Sequence, residues 1–208
     1  MVDSEQPNIG VLDVGFSGDV AHIVDKARAG HRASFEKLIA VSQEEIFRMI
    51  YYRTRSRFDA EDLTQEVYLR AFKNIHRLKN GGRFRSWLYG IAINCVRDFH
   101  RKRRFLNLFE SFSSDNSQEE QHSEKTPDTP PDQLINKEFW QHIKNMSSRF
   151  STMEREVFFL RFMDHLSINE IAQALSKNES TIKTHLYRAL SKFKQDDALL
   201  AMLQGEMR

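Results

Sequence analysis

The chain has a single cysteine, four prolines and eight glycines in 208 residues. Cys95 alone excludes an intrachain disulfide and any multi-cysteine metal site. So little proline and glycine favours helices over turn-rich sheet architectures. No apolar run approaches the ~18 residues that a membrane span needs. The N-terminus is acidic and lacks an apolar segment, so no secretory signal is read and a cytoplasmic protein is expected. The eight histidines are scattered, without metal-ligand spacing toward Cys95 or carboxylates. No glycine-rich phosphate loop and no catalytic constellation stands out. The expectation is a protein that is not an enzyme, with no cofactor and no metal.

The net charge is only +2, but its distribution is uneven. Residues 97–104 carry five basic side chains and one acidic, whereas 105–134 carry seven acidic and one lysine. Such a reversal points to differently charged surfaces in one assembly. Ser, Glu, Asp, Gln and Pro dominate 111–132, a composition that cannot bury enough apolar surface to offset its ordering entropy. The expected organisation is therefore an arm (1–18), a helical domain (19–104), a flexible acidic linker (105–133) and a second helical domain (134–208).

Helical periodicity marks both domains. Val20, Ile23, Val24 and Ala27 share one face; Phe35, Leu38, Ile39, Ile46, Phe47, Met49 and Ile50 form another. A third helix is expected from Phe58 and Asp59, with Asp59 as N-cap and Phe58 and Leu63 as a hydrophobic staple. Leu63, Val67 and Ala71 would face inward, with Phe72 near the edge. Glu61, Asp62, Gln65, Glu66, Tyr68 and Arg70 would face outward, either as a solvated face or as a docking face.

The stretch FRSWLYGIAINCVRDFHRKRR (84–104) carries two stripes. Phe84, Leu88, Ile91, Cys95 and Phe99 make an apolar face that needs a core. Trp87, Gly90, Asn94, Arg97 and Arg101 make an aromatic, amide and basic face. Trp87 and Tyr89 offer stacking surfaces, Asn94 an amide for a base edge, and the arginines phosphate neutralisation, the ingredients of single-strand binding. Gly81 and Gly82 in the preceding loop would let backbone approach a flipped base closely. The competing reading is a core helix with a snorkelling basic end.

Beyond the linker, Leu134, Ile135, Phe139, Ile143 and Met146 restart the pattern. Ser151 with Glu154, and Ser167 with Glu170, have capping-box spacing. Leu166 and Ile171 staple a short helix (168–175), the turn Ser176-Lys177-Asn178 follows, and a second helix runs from Glu179 to about Lys194. Ile182, Leu186, Ala189, Leu190 and Phe193 would face inward. Glu179, Ser180, Lys183, Thr184, Tyr187 and Arg188 would face out, as in the recognition helix of a helix-turn-helix.

Three of these motifs in register resemble the extracytoplasmic-function sigma factors of the sigma-70 family. DAEDLTQEVYLRAF (59–72) is similar to their region 2.2, 84–104 to their promoter-melting regions 2.3 and 2.4, and LSINEIAQALSKNESTIKTHLYRAL (166–190) to their region 4. The resemblance implies an all-α fold: a sigma-2 bundle and a sigma-4 helix-turn-helix joined by the acidic linker. It implies a subunit that binds core RNA polymerase through β′ and β, recognises promoter DNA and helps melt its −10 element. Glu61, Asp62, Gln65 and Glu66 would then dock on the β′ clamp helices. Lys79, Asn80, Gly81 and Arg83, with Asn94 facing them, would receive an unstacked −10 base, and Trp87, Arg97 and Arg101 would hold the strand. Glu179, Ser180, Lys183, Thr184, Tyr187 and Arg188 would read the −35 element, and the linker would thread toward the active-site and RNA-exit channels. The family commonly has an anti-sigma partner, which can hold such a factor near the membrane.

Three departures are visible. Leu78-Lys79-Asn80-Gly81 stands where the family often has Phe-Arg-Gly, His185 where arginine is common, and Phe150-Ser151-Thr152 where Leu-Pro is usual. The rival readings are a stand-alone helix-turn-helix regulator of duplex operators and an interaction module occupied by a protein inhibitor.

Overall fold

The computed structural model describes residues 19–113 and 148–193. The arm, most of the linker, and the periodic segment from Leu134 to Met146 lie outside the described residues. Seven α-helices are present among the described residues, with no strand: α1 (Asp19–Arg28), α2 (Arg32–Thr54), α3 (Arg57–Asn74), α4 (Phe84–Ser113), α5 (Thr152–Phe162), α6 (Ile168–Ala174) and α7 (Glu179–Phe193). Single 3-10 turns, Ile75–Arg77 and Gly81–Arg83, bridge α3 to α4.

The helices start where side chains satisfy orphan amides. His31 caps α2, accepting from the Ser34 N–H through Nδ1. Ser151 caps α5 and Ser167 caps α6, each with the reciprocal glutamate three residues on, as the spacing predicts. The start of α3 differs from expectation. Ser56, not Asp59, is its cap: Arg55 turns left-handed (φ 57°) and the Ser56 hydroxyl accepts from the Asp59 N–H. With the cap three residues earlier, the Phe58 and Leu63 staple has no place to form, and Phe58 stays 72% exposed.

Tyr68 is a second correction. It faces inward from α3, and its hydroxyl lies 2.8 Å from Ser42 Oγ, which itself donates to Leu38 O. Tyr68 is thus the donor of the pair, and burial raises its pKa to about 12. In α4 the apolar stripe of Phe84, Leu88 and Cys95 is buried as read, but so are Ser86, Tyr89, Ala92, Ile93 and Val96. The helix is apolar on two sides because it has two neighbours. One is the bundle α1–α3; the other is α6, which packs along its outer flank. The helix also continues past Arg104 to Ser113, so the segment expected as linker begins as helix.

A continuous core runs from Val24, Leu38, Ile46 and Met49 through Leu88 and Tyr89 to Leu160, Leu166, Ile171 and Ile182. Full burial of each such side chain contributes about 1.5–3 kcal/mol. Phe150, Phe158 and Ala189, with Phe159, Leu190 and Phe193 against them, form a smaller cluster that closes α5 on α7.

Candidate nucleic-acid interface

Three surfaces carry the residues singled out in the sequence. The first is the outer stripe of α3. Glu61, Asp62 and Gln65 are exposed there and Glu66 is half-buried. Glu61 pairs with Arg57 at 2.9 Å and Glu66 with Arg70 at 2.6 Å. Helical spacing puts Phe58, Leu69 and Phe72 on this same stripe, and all three are exposed. The result is an acidic strip bracketed by exposed large apolar side chains.

The second surface lies between α3 and α4. Arg70, Asn74, Arg77, Trp87, Ile91 and Asn94 line an open cavity of about 290 Å³. Trp87 belongs to both settings: its ring meets Phe84 at 6.0 Å, and its other side walls the cavity. Asn94 is exposed beside it. An aromatic wall, two amides and two guanidinium groups form a polar-aromatic recess of a size to admit a planar base. Residues 79–83 are not among its walls. Their turn is set by Asn80, whose Oδ1 accepts from the Gly82 N–H at 2.9 Å. Gly81 lies where a Cβ would stand 2.9 Å from the Ala21 carbonyl of α1, so only glycine permits that approach. Lys79 and Arg83 are exposed at the loop's edge.

Arg97 and Arg101 follow on α4. Arg101 pairs with Asp98 at 2.9 Å, and Arg97 stands 3.8 Å from Glu156 of α5. Tyr89, expected as a stacking residue, is buried, with the Arg85 guanidinium 5.5 Å over its ring. It cannot stack on a base here. Arg70 is expected from the sequence only as part of the outward face of α3, and Asn74 and Arg77 are not singled out there. The spacing of four and three from Arg70 through the end of α3 into the following turn is the signal that places them together.

The third surface is α7. Glu179, Ser180, Lys183, Thr184, Tyr187 and Arg188 are all exposed, Tyr187 by 71%. Ile182 and Ala189 anchor the opposite face. Asn169 of α6 donates to Glu179 Oε1 at 2.9 Å, and Thr184 Oγ1 donates to Ser180 O. Arg161 closes the α5–α6 turn onto Leu166 O. His185 is half-buried, and its Nδ1 has no hydrogen-bond partner among the described residues.

Two arginines outside these surfaces join the halves of the molecule. Arg53 of α2 reaches Asp164 at 2.8 Å and Glu156 at 3.3 Å. Arg85 of α4 pairs with Glu45 and Glu170, each at 3.2 Å, and donates to Asp164 O. Burial pushes the Asp164 carboxyl above its ordinary value, and the Arg53 guanidinium works against that shift. Among the described residues there is no cluster of His, Cys, Asp and Glu that would hold a metal, and no helix is long and apolar enough to cross a membrane. Burial likewise raises the Cys95 thiol pKa, as suits an inert core thiol.

The profile of sigma-70 region 2 matches residues 38–105, and that of sigma-70, region 4 matches 149–193. The chain is 34% identical to the ECF RNA polymerase sigma factor BldN of Streptomyces coelicolor, over 88% of this chain and 68% of that protein. It is 25% identical to the ECF RNA polymerase sigma factor SigW of Bacillus subtilis, over 79% and 89%. Its fold matches CnrH, solved with the cytosolic domain of CnrY, at a TM-score of 0.60 and 20% identity, covering 89% of this chain and 97% of that one. It also matches the sigma factor RpoE, solved with the anti-sigma factor NepR from Bartonella quintana, at 0.55 and 19%, over 77% and 94%. With region 2 on the bundle, region 4 on the helix-turn-helix, and a third of the aligned residues identical to BldN, the chain belongs to the ECF RNA polymerase sigma factors.

Proposed function

We propose that this sigma factor recruits core RNA polymerase through α3, reads −35 duplex with α7, and captures an unstacked −10 base in the recess between α3 and α4. The observation that carries the reading is that recess, where Trp87 and Asn94 meet Arg70, Asn74 and Arg77. A base leaving the duplex exchanges stacking on its neighbours for stacking on an aromatic ring, worth roughly 1–3 kcal/mol. The guanidinium groups offset the phosphate charge that arrives with it. Melting then draws on captured bases and holoenzyme contacts, with no bond chemistry by this chain.

The roles divide by surface. Glu61, Asp62, Gln65 and Glu66 meet basic groups of the β′ subunit while Phe58, Leu69 and Phe72 supply apolar area. Lys183 and Glu179 address base edges in the major groove; Tyr187 and Arg188 hold phosphates. Lys79, Arg83, Arg97 and Arg101 flank the recess as phosphate contacts. The turn residues Asn80 and Gly81 shape the loop. Such a factor works in the cytoplasm beside the polymerase. A protein inhibitor of the anti-sigma kind would cover these same surfaces. A stand-alone regulator is disfavoured, since it would have no use for the α3 stripe.

The test is reconstitution. The purified chain and core polymerase, on a matched promoter template, should give promoter-dependent transcription and permanganate-reactive bases at −10. Asp62→Lys should weaken holoenzyme assembly at least tenfold while leaving binding of a −35 duplex unchanged. Duplex binding that core polymerase does not alter, with no strand opening, would sink the reading in favour of the regulator.

A further inference from the structure

The connector between α3 and α4 is built from two tight turns, each closed on itself. In the first, the Leu78 N–H donates to Ile75 O at 3.0 Å. In the second, the Arg83 N–H donates to Asn80 O at 3.0 Å and the Gly82 N–H to Asn80 Oδ1 at 2.9 Å. These bonds fix the shape of each turn but not its place against the helices. Ile75 and Leu78 are buried in the core, which holds the first turn. The second turn, Gly81–Arg83, has no buried residue of its own. What lies against it is α1, which packs on both turns.

The closest approach is backbone to backbone. A Cβ at Gly81 would stand 2.9 Å from Ala21 O and 3.1 Å from Ala21 Cα. Carbon and oxygen ordinarily approach to about 3.3–3.6 Å, so an alanine there would push the turn off α1 by roughly 0.5 Å. The obstacle cannot yield by rotating a side chain, because it is main chain, and Val24 and Ala27 bury the next turn of α1 in the core. Gly82 is different: a Cβ there meets only Asn80 Oδ1, at 3.2 Å, on an exposed side chain. Glycine at 81 is thus required by α1 before any nucleotide is considered.

The recess divides along the same line. Arg70, Asn74, Trp87, Ile91 and Asn94 stand on α3 and α4, but Arg77 stands on the first turn of the connector, and Lys79 and Asn80 are exposed just beyond it. Stacking on Trp87 tolerates any base, since every base has a π-face. Choice among bases comes from hydrogen bonds to their edges, and such geometry must hold to roughly 0.5 Å. Resting on the promoter reading above, we infer that α1 is a positioning element of the −10 reader. Its Ala21 main chain, through Gly81, sets where the connector presents Arg77, Lys79 and Asn80. It thereby decides which base is accepted rather than how strongly a base is held.

The test compares the two glycines in the full chain bound to core polymerase. Single-stranded −10 oligonucleotides differing at one base are titrated by fluorescence anisotropy, and preference is the affinity ratio of the best base to the next. Gly81→Ala should lower that ratio about fivefold or more, with the weaker bases bound as before. Gly82→Ala, in open space, should leave the ratio within about twofold. An unchanged ratio in Gly81→Ala, or a loss of affinity shared equally by all bases, overturns the positioning role. Val24→Ala loosens α1 from the core and leaves the connector's own sequence intact, so it should lower the ratio in the same direction. No change there overturns the role even if Gly81→Ala is too unstable to assay. Hydrogen exchange of the free chain tests the contact without DNA: amides of residues 78–83 should exchange faster in Gly81→Ala than in Gly82→Ala. Equal exchange overturns the hold of α1 on the connector. If the unaltered holoenzyme shows no base preference at any position, the promoter reading itself has failed, which is a separate result.

Discussion

Arg53 and Asp164 form a 2.8 Å ion pair between residues 111 positions apart in sequence, and both side chains are almost wholly buried. The Arg53 guanidinium also donates to Glu156 and to Met49 O, and lies 5.9 Å over the Phe159 ring. Arg53→Met would keep the aliphatic stem and strand the Asp164 carboxylate. The expected loss is about 3–5 kcal/mol of the docked state's stability, read as the urea midpoint of the full chain. Adding Asp164→Asn should recover part of that loss, because a neutral amide is cheaper to leave underpaired. A double variant less stable than Arg53→Met alone would contradict this account.

Acid should loosen the C-terminal unit through Glu154. Lys192 Nζ, 2.7 Å away, and the Ser151 N–H hold this carboxyl below the usual range against the opposing effect of burial. A depressed folded-state pKa contributes stability that is complete above the unfolded value of about 4.3 and is lost as pH falls through the lower folded value. The urea midpoint should therefore drop as pH falls below the unfolded value of about 4.3. Glu154→Gln should cost roughly 1 kcal/mol at pH 7 and flatten that drop. Glu170, where Ser167 and Arg85 outweigh burial, adds to the same slope, so the drop should shrink rather than vanish.

On the proposed reading, the exposed face of α7 separates base reading from phosphate holding. Lys183→Ala should cost about 1–3 kcal/mol on the preferred −35 duplex and narrow the gap to scrambled duplex. Arg188→Ala should weaken both duplexes alike and lower the salt slope of binding by about one. The readout is fluorescence anisotropy across a salt series. Matching effects of the two substitutions on preference would refute the division.

Asn94→Ala and Trp87→Ala should impair strand opening at −10, with −35 duplex binding within twofold of the unaltered chain. Of the two, Trp87→Ala should cost more, about 1–3 kcal/mol on a single-stranded −10 oligonucleotide, because stacking carries the larger share. Trp87 also meets Phe84, so a thermal melt must accompany the measurement.

Local signals were the legible part of the molecule. Both capping boxes, the outward face of α7 and the apolar stripe of α4 follow from spacing within four residues. The family resemblance named the two regions whose profiles match residues 38–105 and 149–193. What escaped was set by distant partners. Tyr68 turns inward because Ser42 of α2 gives its hydroxyl a partner, and Tyr89 because α6 arrives from 85 residues away to cover that flank. Ser56 displaced Asp59 as cap because Arg55 turns left-handed, which a sequence seldom announces for arginine. Arg53 and Arg85 read as ordinary basic residues until their acidic partners are seen in three dimensions.

Glu170 divides its two oxygens between two jobs. Oε2 accepts from the Ser167 N–H and hydroxyl and so fixes the first turn of α6; Oε1 accepts from Arg85. Losing Arg85 frees one oxygen to water and leaves the other in place. The first turn of the helix-turn-helix is therefore fixed from within its own sequence, whatever surface the helix rests on.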